Sequence, residues 1–354
     1  MPTEKAHGAQ IMKTCEALAR GGAAVELVVP ARKSPIKEDP FFYYGAQNNF
    51  VIKYLPVLDV LWLGRAGFWI ESLSFSIFAF AHALGAPADM LYSRDELPLW
   101  MLSWFTKKIV WESHTGRNNF LTGRLVAAGR RCVVISQGLK DAYQKSGAKA
   151  QMLVAHDGVD LEAFAHPQER QAACARLALP EGKKITMYIG RLDGWKGVTT
   201  LFEASKLLPQ EYLVAIIGGE ASQVEKLASA YPEVLFLGTR PYKELADNQA
   251  AADILVLPNT AKDTISAQFT SPMKLFSYMA SGKPIVASDL PSIREVLSEK
   301  NAVLFAPDNA HSLAEAIRRA AQEDAGHLAQ QAKADVEAYS WDVRARRICS
   351  FIAE

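Results

Sequence analysis

Residues 185–197 read Ile-Thr-Met-Tyr-Ile-Gly-Arg-Leu-Asp-Gly-Trp-Lys-Gly, and the fold prediction starts from this stretch. Its apolar first part predicts a buried β-strand, and Gly190 at the end of that strand lets a ligand approach the backbone closely. Arg191 and Lys196 are cations five residues apart that precede a predicted helix. A strand, a glycine turn and a helix amino terminus in this order favour binding of a diphosphate. A solvated basic turn is the alternative interpretation.

On both sides of this stretch, short runs rich in Val, Ile and Leu alternate with helical patterns of about 10 to 15 residues. Such alternation is typical of parallel sheets covered by helices, so the predicted fold class is α/β. The polar stretch 161–182 predicts a domain boundary. We therefore expect an acceptor-side Rossmann-like domain over 1–165, a donor-binding one over 183–335 and a returning helix over 336–354. Strands are predicted at 24–30, 89–93, 108–112, 132–136, 151–155, 185–189, 212–217, 234–237, 254–257, 284–287 and 303–305.

The composition of the 354 residues excludes several classes of protein. With 49% hydrophobic and 22% charged residues, the chain can bury large cores, and extensive disorder is not expected. The net charge of +1 provides no global field for nucleic acid, so an anionic ligand has to be bound locally. The four cysteines lack metal-ligand spacing, and neither a disulfide framework nor a metal site is predicted. The polar amino terminus is unlike a signal peptide, which indicates a cytoplasmic location.

A second anion site is predicted at Thr270-Ser271-Pro272-Met273-Lys274. Here Thr or Ser would cap a helix and Pro272 would occupy its first turn. The free amides of such a terminus can bind phosphate, although an ordinary capped helix has the same pattern. Two such sites in one domain favour a nucleotide diphosphate, since this ligand needs several converging donors.

Together these motifs resemble the donor-binding half of glycosyltransferase family 4, whose members are retaining enzymes. The resemblance implies the GT-B fold, in which two Rossmann-like domains have parallel sheets that face each other across a cleft. Family members of this kind need no metal ion or other cofactor. The segments that carry the resemblance are Gly190-Arg191, Lys196-Gly197, Ser271–Ser288, His156–Asp160, Ala251–Pro258 and Ser340-Trp341-Asp342.

The resemblance also implies roles for single residues. Arg191 and Lys196 would bind the donor diphosphate and stabilise the departing nucleoside diphosphate. His114, at the end of a first-domain strand, would face the transferred sugar, and the loop 5–8 would close over sugar and phosphate. The predicted catalytic residues are His114, Arg191 and Lys196, and the predicted donor-binding residues are Gly8, Gly190, Thr270, Ser271 and Ser277.

The chain departs from the family pattern in two places. The family's paired glutamates, separated by seven residues, align with Phe269 and Ser277. Ser277 can still bond to a ribose hydroxyl, but a neutral acceptor contributes about 1 kcal/mol against about 1.5–3 for a charged one, so nucleotide binding is expected to be weaker. The chain also starts in a predicted loop, 2–8, ahead of an amphipathic helix from Ile11. We therefore expect the first domain to be short by one strand.

The region before Leu84 is unusually aromatic. Its most apolar stretch, Ser72–Ala88, is shorter than the roughly 20 residues of a membrane span, so it predicts a buried or interfacial helix. The aromatic side chains either pack the first domain's core or form a surface that docks a lipid-linked acceptor at the membrane face.

The whole pattern predicts a retaining glycosyltransferase of the hexosyltransferase type. It would move a sugar from a nucleotide-diphosphate-sugar donor to a glycan or lipid-linked acceptor in surface polysaccharide biosynthesis, at the inner face of the membrane. The main alternative is a catalytically degenerate GT-B protein that acts as a nucleotide-binding or scaffold subunit. A nucleotide-sugar epimerase is less favoured, because it would need further carboxylates facing the sugar.

Overall fold

The computed structural model describes residues 1–3, 5–34, 36–322 and 325–354. The chain divides into two compact units, one formed by Met1–His156 with Trp341–Glu354 and the other by Asp157–Ser340. The first boundary lies earlier than the polar stretch 161–182 indicates. Phe164, Ala173 and Leu177 of that stretch are buried in the core of the second unit, which is why the stretch belongs there. The second boundary lies at 340, five residues later than the sequence indicates.

The described part of the first unit contains two separate parallel sheets, and its strands are β1 (Glu26–Pro30), β2 (Val51–Leu55), β3 (Leu91–Ser93), β4 (Ile109–Ser113), β5 (Arg131–Val134) and β6 (Gln151–Val154). β1 pairs with β2, and the other sheet has the order β3-β4-β5-β6. A doubly wound domain would have one further strand that pairs with β1 on one side and with β3 on the other, so that the two sheets would be one. None of the described residues forms such a strand.

The helices of the first unit that precede the boundary are α1 (Ala6–Arg20), α2 (Pro40–Tyr44), α3 (Gly64–Gly85), α4 (Glu96–Leu102), α5 (Phe120–Leu125) and α6 (Gln137–Lys145). α1 begins earlier than predicted, so Gly8 lies in its first turn and not in a loop. Gly8 is buried beside Tyr44, and a Cβ atom at this position would clash with the Tyr44 hydroxyl. The glycine is therefore required by close packing of helix and side chain.

The second unit opens with the short helix α7 (Arg170–Arg176), and its strands are β7 (Lys184–Ile189), β8 (Tyr212–Ile217), β9 (Val234–Phe236), β10 (Ile254–Leu257), β11 (Ile285–Ser288) and β12 (Val303–Phe305). The described strands form one parallel sheet in the order β12-β11-β10-β7-β8-β9. The order reverses between β7 and β10. Ligands of open α/β sheets bind outside the carboxyl ends of the strands at such a switch point, which here is the end of β7 at Ile189.

Helices cover both faces of this sheet, and they are α8 (Val198–Ser205), α9 (Ala221–Ala230), α10 (Leu245–Ala250), α11 (Met273–Ser281), α12 (Pro291–Arg294), α13 (Ala310–Ala320) and α14 (Gly326–Asp335). Two hydrophobic clusters fill the space between sheet and helices, one on each face. Met187 and Leu255 point into one cluster, while their neighbours Tyr188 and Val256 point into the other. The sheet is thus buried on both faces, as its continuous apolar strands predict.

The last helix, α15 (Trp341–Ala353), belongs to the first unit. It packs on α1, and its Ile348 is fully buried in a cluster with Val110 of β4 and Val133 of β5. The end of the chain therefore completes the core of the unit in which the chain begins.

The apolar helix of the first unit differs from its prediction in length and in burial. α3 has 22 residues where the apolar stretch predicts a helix from Ser72, and by length and composition Leu61–Gly85 is able to cross a membrane. Only 22% of its most apolar window is buried. Phe68, Trp69 and Phe78 are exposed, so the interpretation of these aromatic residues as core is wrong.

Candidate functional site

The site of the second unit starts where β7 ends. The chain turns at Gly190 with φ of +147°, a left-handed conformation that glycine adopts without strain. A short 3₁₀ turn, Gly194–Lys196, follows, and α8 begins after Gly197, whose φ is +68°. A Cβ atom on Gly197 would clash with the carbonyl group of Pro258, the residue that follows β10. The loop after β7 therefore packs directly on the end of β10, at the switch point.

We expect Gly197→Ala to lower the free energy of unfolding of the second unit by about 1–3 kcal/mol, because the new Cβ atom meets both a positive φ and a backbone carbonyl. Urea unfolding measures this loss. Gly194→Ala is the matched control from the same turn, since its Cβ atom would meet no atom within 4 Å. It should change the stability by no more than about 0.5 kcal/mol. Equal effects of the two changes would contradict the close packing at Pro258.

The predicted cations of this loop differ in their surroundings. The Arg191 side chain is 61% exposed, and its Nη2 atom lies 3.1 Å from Oδ1 of Asp193. The Lys196 ammonium lies 3.4 Å from the centre of the Trp195 ring. Burial, with a smaller effect of Arg191, lowers the pKa of Lys196 to about 8, against an opposing effect of Asp193. Burial therefore disfavours the charged form of Lys196, and an anionic ligand would offset this effect.

Lys274, a residue given no role in the sequence prediction, also belongs to this site. It lies in the first turn of α11, and its Nζ atom would be 2.5 Å from a Cβ atom at Gly190. The Nζ atom lies 3.8 Å from the centre of the Tyr188 ring, and among the described residues it has no hydrogen-bond partner. Burial, and secondarily Lys196, holds the pKa of Lys274 well below its ordinary value.

Thr270 and Ser271 are buried beside this cluster, but they do not cap α11. Pro272 occupies the N-cap position, and no side chain caps the helix, so the capping prediction is wrong. The Ser271 hydroxyl instead accepts a hydrogen bond from the Asp157 amide at 3.0 Å. The Asp157 carboxylate in turn acts on Lys196 and raises its pKa slightly against burial. Thr270 and Ser271 thus lie close to the lysines, and the amides of α11 remain uncapped by side chains.

Ser277 is more deeply buried than we expect of a residue that binds the donor ribose. It is 3% exposed, its hydroxyl accepts a hydrogen bond from Nε2 of Gln249 at 2.9 Å and it donates one to the Lys274 carbonyl at 3.0 Å. The hydroxyl is therefore already used inside the fold. Phe269 ends the π-helical turn Ile265–Phe269 that leads to Thr270.

The first unit contains a second cluster of polar side chains, centred on Glu112 at the end of β4. Oε1 of Glu112 lies 2.5 Å from Nε2 of His114 and accepts a hydrogen bond from Nε2 of Gln10 at 2.8 Å. Oε2 accepts a hydrogen bond from the Tyr92 hydroxyl and lies 3.0 Å from Nη2 of Arg344 on α15. The cluster fixes the ring of His114 from one side, while His114 itself stays partly exposed.

The negative charge of the buried Glu112 carboxylate is balanced by neighbouring cationic groups. Burial alone would raise the pKa of Glu112, but Arg344, and then His114, hold that pKa well below its usual range. Burial, followed by Arg94, lowers the pKa of the neighbouring His7 to about 4, so His7 is neutral at pH 7. Within the described residues, no group of three or more His, Cys, Asp or Glu side chains is placed to hold a metal ion.

These two units define a class of protein. Each is a parallel α/β unit, as in the GT-B fold, and the second carries a glycine turn and two partly buried lysines at its switch point. Residues 183–323 match the family model described as "Glycosyl transferases group 1". The curated D-inositol 3-phosphate glycosyltransferase of Corynebacterium urealyticum is 28% identical over 220 residues, which cover 56% of this chain and 50% of the relative. The chain spans about half the length of the curated relatives that it matches.

Solved structures confirm the fold. Sucrose-phosphate synthase from Thermosynechococcus elongatus superimposes with a TM-score of 0.77 at 20% identity, over 97% of this chain and 92% of that chain. The Anabaena protein HepE in complex with UDP and glucose gives a TM-score of 0.76 at 16% identity, over 100% and 97% of the two chains. Residues 183–323 therefore resemble the donor-binding domain of family 4 glycosyltransferases, as their motifs predict, and the chain has the GT-B fold.

Proposed function

We propose that this protein is a retaining glycosyltransferase of the hexosyltransferase type. It moves a sugar from a nucleotide-diphosphate-sugar donor to a glycan or lipid-linked acceptor, in surface polysaccharide biosynthesis at the inner face of the membrane. The observation that carries the proposal is the lysine cluster beside Gly190. Lys274 has a buried ammonium group without a hydrogen-bond partner among the described residues, and Lys196 lies close enough to lower its pKa.

A donor diphosphate is the ligand that this cluster fits. Two desolvated lysines side by side are unfavourable in the absence of an anion, because each disfavours the charged form of the other. A diphosphate beside Gly190 can approach the backbone, accept hydrogen bonds from both ammonium groups and receive Arg191 from the exposed side of the loop. When the bond to the sugar breaks, negative charge grows on the departing phosphate, and the same cations stabilise it.

In the first unit, we assign His114 to the transferred sugar. Its Nε2 atom is held by the Glu112 carboxylate, so the ring has one orientation and its other nitrogen is available to a ligand. His7, in the first turn of α1, lies close enough to His114 for their charges to interact, and it offers a neutral imidazole to the same sugar. We assign Gly8 an indirect part in donor binding, since its close packing against Tyr44 positions the turn that carries His7. In the proposed reaction the acceptor oxygen bonds to the sugar carbon as its bond to phosphate breaks, and the departing phosphate oxygen takes the hydroxyl proton. No separate general base is then needed from this group.

We expect donor binding to be coupled to proton uptake. Burial lowers the pKa of Lys196 to about 8 and holds the pKa of Lys274 well below its ordinary value, and a bound diphosphate raises both because it favours the charged lysines. Affinity for UDP-glucose or GDP-mannose should therefore fall as the pH rises above 8, by up to about tenfold per pH unit from Lys196 alone. Calorimetry in buffers of different ionisation enthalpy measures the uptake directly.

The Lys274→Met variant separates the contributions of the two lysines. At pH 8 it should take up fewer protons on donor binding than the unchanged protein does, and should keep the uptake that comes from Lys196. Lys206→Met is the matched control, since Lys206 is an exposed lysine on the same unit that pairs with Glu203. Binding of the donor by the unchanged protein without proton uptake at pH 8 would place the diphosphate elsewhere.

The specific observation that favours the alternative, a nucleotide-binding or scaffold subunit, is the state of Ser277. Its hydroxyl bonds to Gln249 and the Lys274 carbonyl, and Phe269 replaces the other family glutamate, so the sugar and ribose have fewer polar partners than the family pattern provides. Turnover separates the two functions. A transferase releases nucleoside diphosphate from at least one donor, whereas a scaffold binds the donor and leaves it intact.

A further inference from the structure

α3 buries its small and polar side chains and exposes its large apolar ones. Its buried residues are Gly67, Glu71, Ser74 and Ser76. Its large apolar side chains point outward, and the exposed fractions include 62% for Trp69 and 51% for Leu73. Helices on a protein surface normally show the opposite pattern, with the apolar stripe facing the core. The exposed apolar side chains of this helix are Phe68, Trp69, Ile70, Leu73, Ile77, Phe78 and Leu84.

Specific contacts of the polar side fix this orientation. Glu71 is fully buried and forms an ion pair with Arg32. The Ser74 hydroxyl donates a hydrogen bond to the Glu71 carbonyl at 2.9 Å and accepts one from the Leu58 amide at 3.0 Å. A Cβ atom on Gly67 would clash with the preceding turn. Rotation of the apolar face inward would break the Glu71–Arg32 ion pair and the hydrogen bonds of Ser74, so specific contacts hold the apolar face outward.

The apolar face of α3 continues onto neighbouring elements. Phe80 of α3 contacts Phe105 with ring centres 5.2 Å apart, and Phe105 is 67% exposed. The next residue back, Trp104, contacts Trp100, which in turn contacts the exposed Phe120 at 5.7 Å. We call the exposed side chains of α3 together with Trp62, Trp104, Phe105 and Phe120 the apolar surface. Exposed patches of this extent mark interaction sites.

The charges beside this surface are cationic on one part of its border and mixed on the other. Lys107 and Lys108 are exposed two and three residues after Phe105, and Arg117 is exposed shortly before Phe120, so the border at these two rings is cationic. Around α3 both signs occur: Arg65 and Asp59 are exposed near its start, Asp89 is exposed beyond its end, and Glu26 pairs with His82. An aromatic surface with a cationic border complements an anionic bilayer, in which rings enter the headgroup region and lysines meet lipid phosphates. A second copy of this chain would bring the same cations to the border.

We propose that the apolar surface docks the first unit on an anionic lipid bilayer, with α3 lying in the plane of the membrane. This deepens the membrane-face location in the proposed function and names its contact. α3 does not span: Gln10 precedes it, Glu112 follows it, and their side chains are hydrogen bonded at 2.8 Å inside one compact unit. Both flanks of the helix therefore lie on the same side of the bilayer.

Co-sedimentation of the full chain with vesicles tests the proposal. Binding to vesicles of phosphatidylcholine with phosphatidylglycerol should exceed binding to phosphatidylcholine alone, and should weaken as salt rises. The double change Lys107→Ala and Lys108→Ala should weaken it by about thirtyfold, and Trp69→Ser with Phe78→Ser should weaken it on both kinds of vesicle. Leu207→Ser, at an exposed apolar residue of the second unit, is the control and should have no effect.

Three results would overturn the proposal: no binding to either vesicle, resistance of the bound protein to alkaline extraction, or a dimer in solution that Trp69→Ser dissociates while vesicles do not bind. The second would indicate a spanning helix and the third a second copy on the same surface. Unchanged circular dichroism of each variant verifies its folding. The assay uses neither donor nor acceptor, so a protein that transfers no sugar would still bind, and the two proposals fail separately.

Discussion

Replacing Lys196 by Ala is expected to reduce nucleoside diphosphate release by about 100- to 1,000-fold, the usual cost of removing one donor to a developing negative charge. The side chain lies over Trp195 and beside Lys274, with its pKa lowered to about 8 mainly by burial. A charge in such surroundings interacts more strongly with a phosphate than an exposed one does.

Arg191→Ala should also abolish most release, because Arg191 is the cation that reaches the diphosphate from the solvent side.

The control for both variants is Lys206→Ala. Lys206 lies just after α8 in the same unit, but its side chain is exposed and paired with Glu203, so release should be unchanged. Steady-state assays give kcat and KM separately. If the lysine acts mainly in the transition state, kcat falls more than KM rises. Near-normal release by both Lys196→Ala and Arg191→Ala would refute the diphosphate site.

The second large effect concerns stability of the first unit. Arg344→Met should lower its free energy of unfolding by about 3–5 kcal/mol, because breaking a buried ion pair leaves an uncompensated charge. The side chains of Arg344 and Glu112 are 3% and 1% exposed, and Arg344 also donates a hydrogen bond to the His156 carbonyl at 2.9 Å. Urea unfolding, with hydrogen exchange of the β4 amides to identify the unit, measures the loss.

Two further variants decide whether the buried charge is the cause. Arg20→Met breaks another ion pair of α15, with Asp342, but those side chains are 31% and 44% exposed, so the cost should stay below about 1 kcal/mol. Adding Glu112→Gln to Arg344→Met should restore part of the stability, since the stranded carboxylate is removed. A double variant as unstable as the sum of the single ones would indicate lost packing instead.

The strands of the fold follow from the sequence with small errors. All eleven predicted strands begin and end within two residues of observed ones, because their apolar runs are bounded by turn residues. β2 was missed. Only Leu55 of its five residues is buried and Lys53 stands in its middle, so neither alternation nor a continuous apolar run marks it. The sequence predicts that α3 is a helix. Which of its sides is buried depends on the contacts of Glu71 with Arg32 and of Ser74 with Leu58, and no local sequence pattern reveals those contacts.

The candidate site was predictable only in part. Gly190, Arg191 and Lys196 lie in one short segment with a recognisable motif, and the structure brings them together. Lys274 ends the segment in which the second anion site is predicted, but that prediction relied on the helix amides, and only the fold places the Lys274 ammonium group beside Gly190. Arg344 was hidden for the same reason, since it meets Glu112 from the other end of the chain. Local sequence patterns do not predict contacts between segments that lie far apart in the chain.

The most direct test of the central claim is release of nucleoside diphosphate from a panel of nucleotide sugars, measured with and without a lipid extract as acceptor. We predict release from one donor class, increased by the extract, lost in Lys196→Ala and retained in Lys206→Ala. Binding of the same donors without release, under every acceptor condition, would contradict the transferase and leave a nucleotide-binding GT-B subunit.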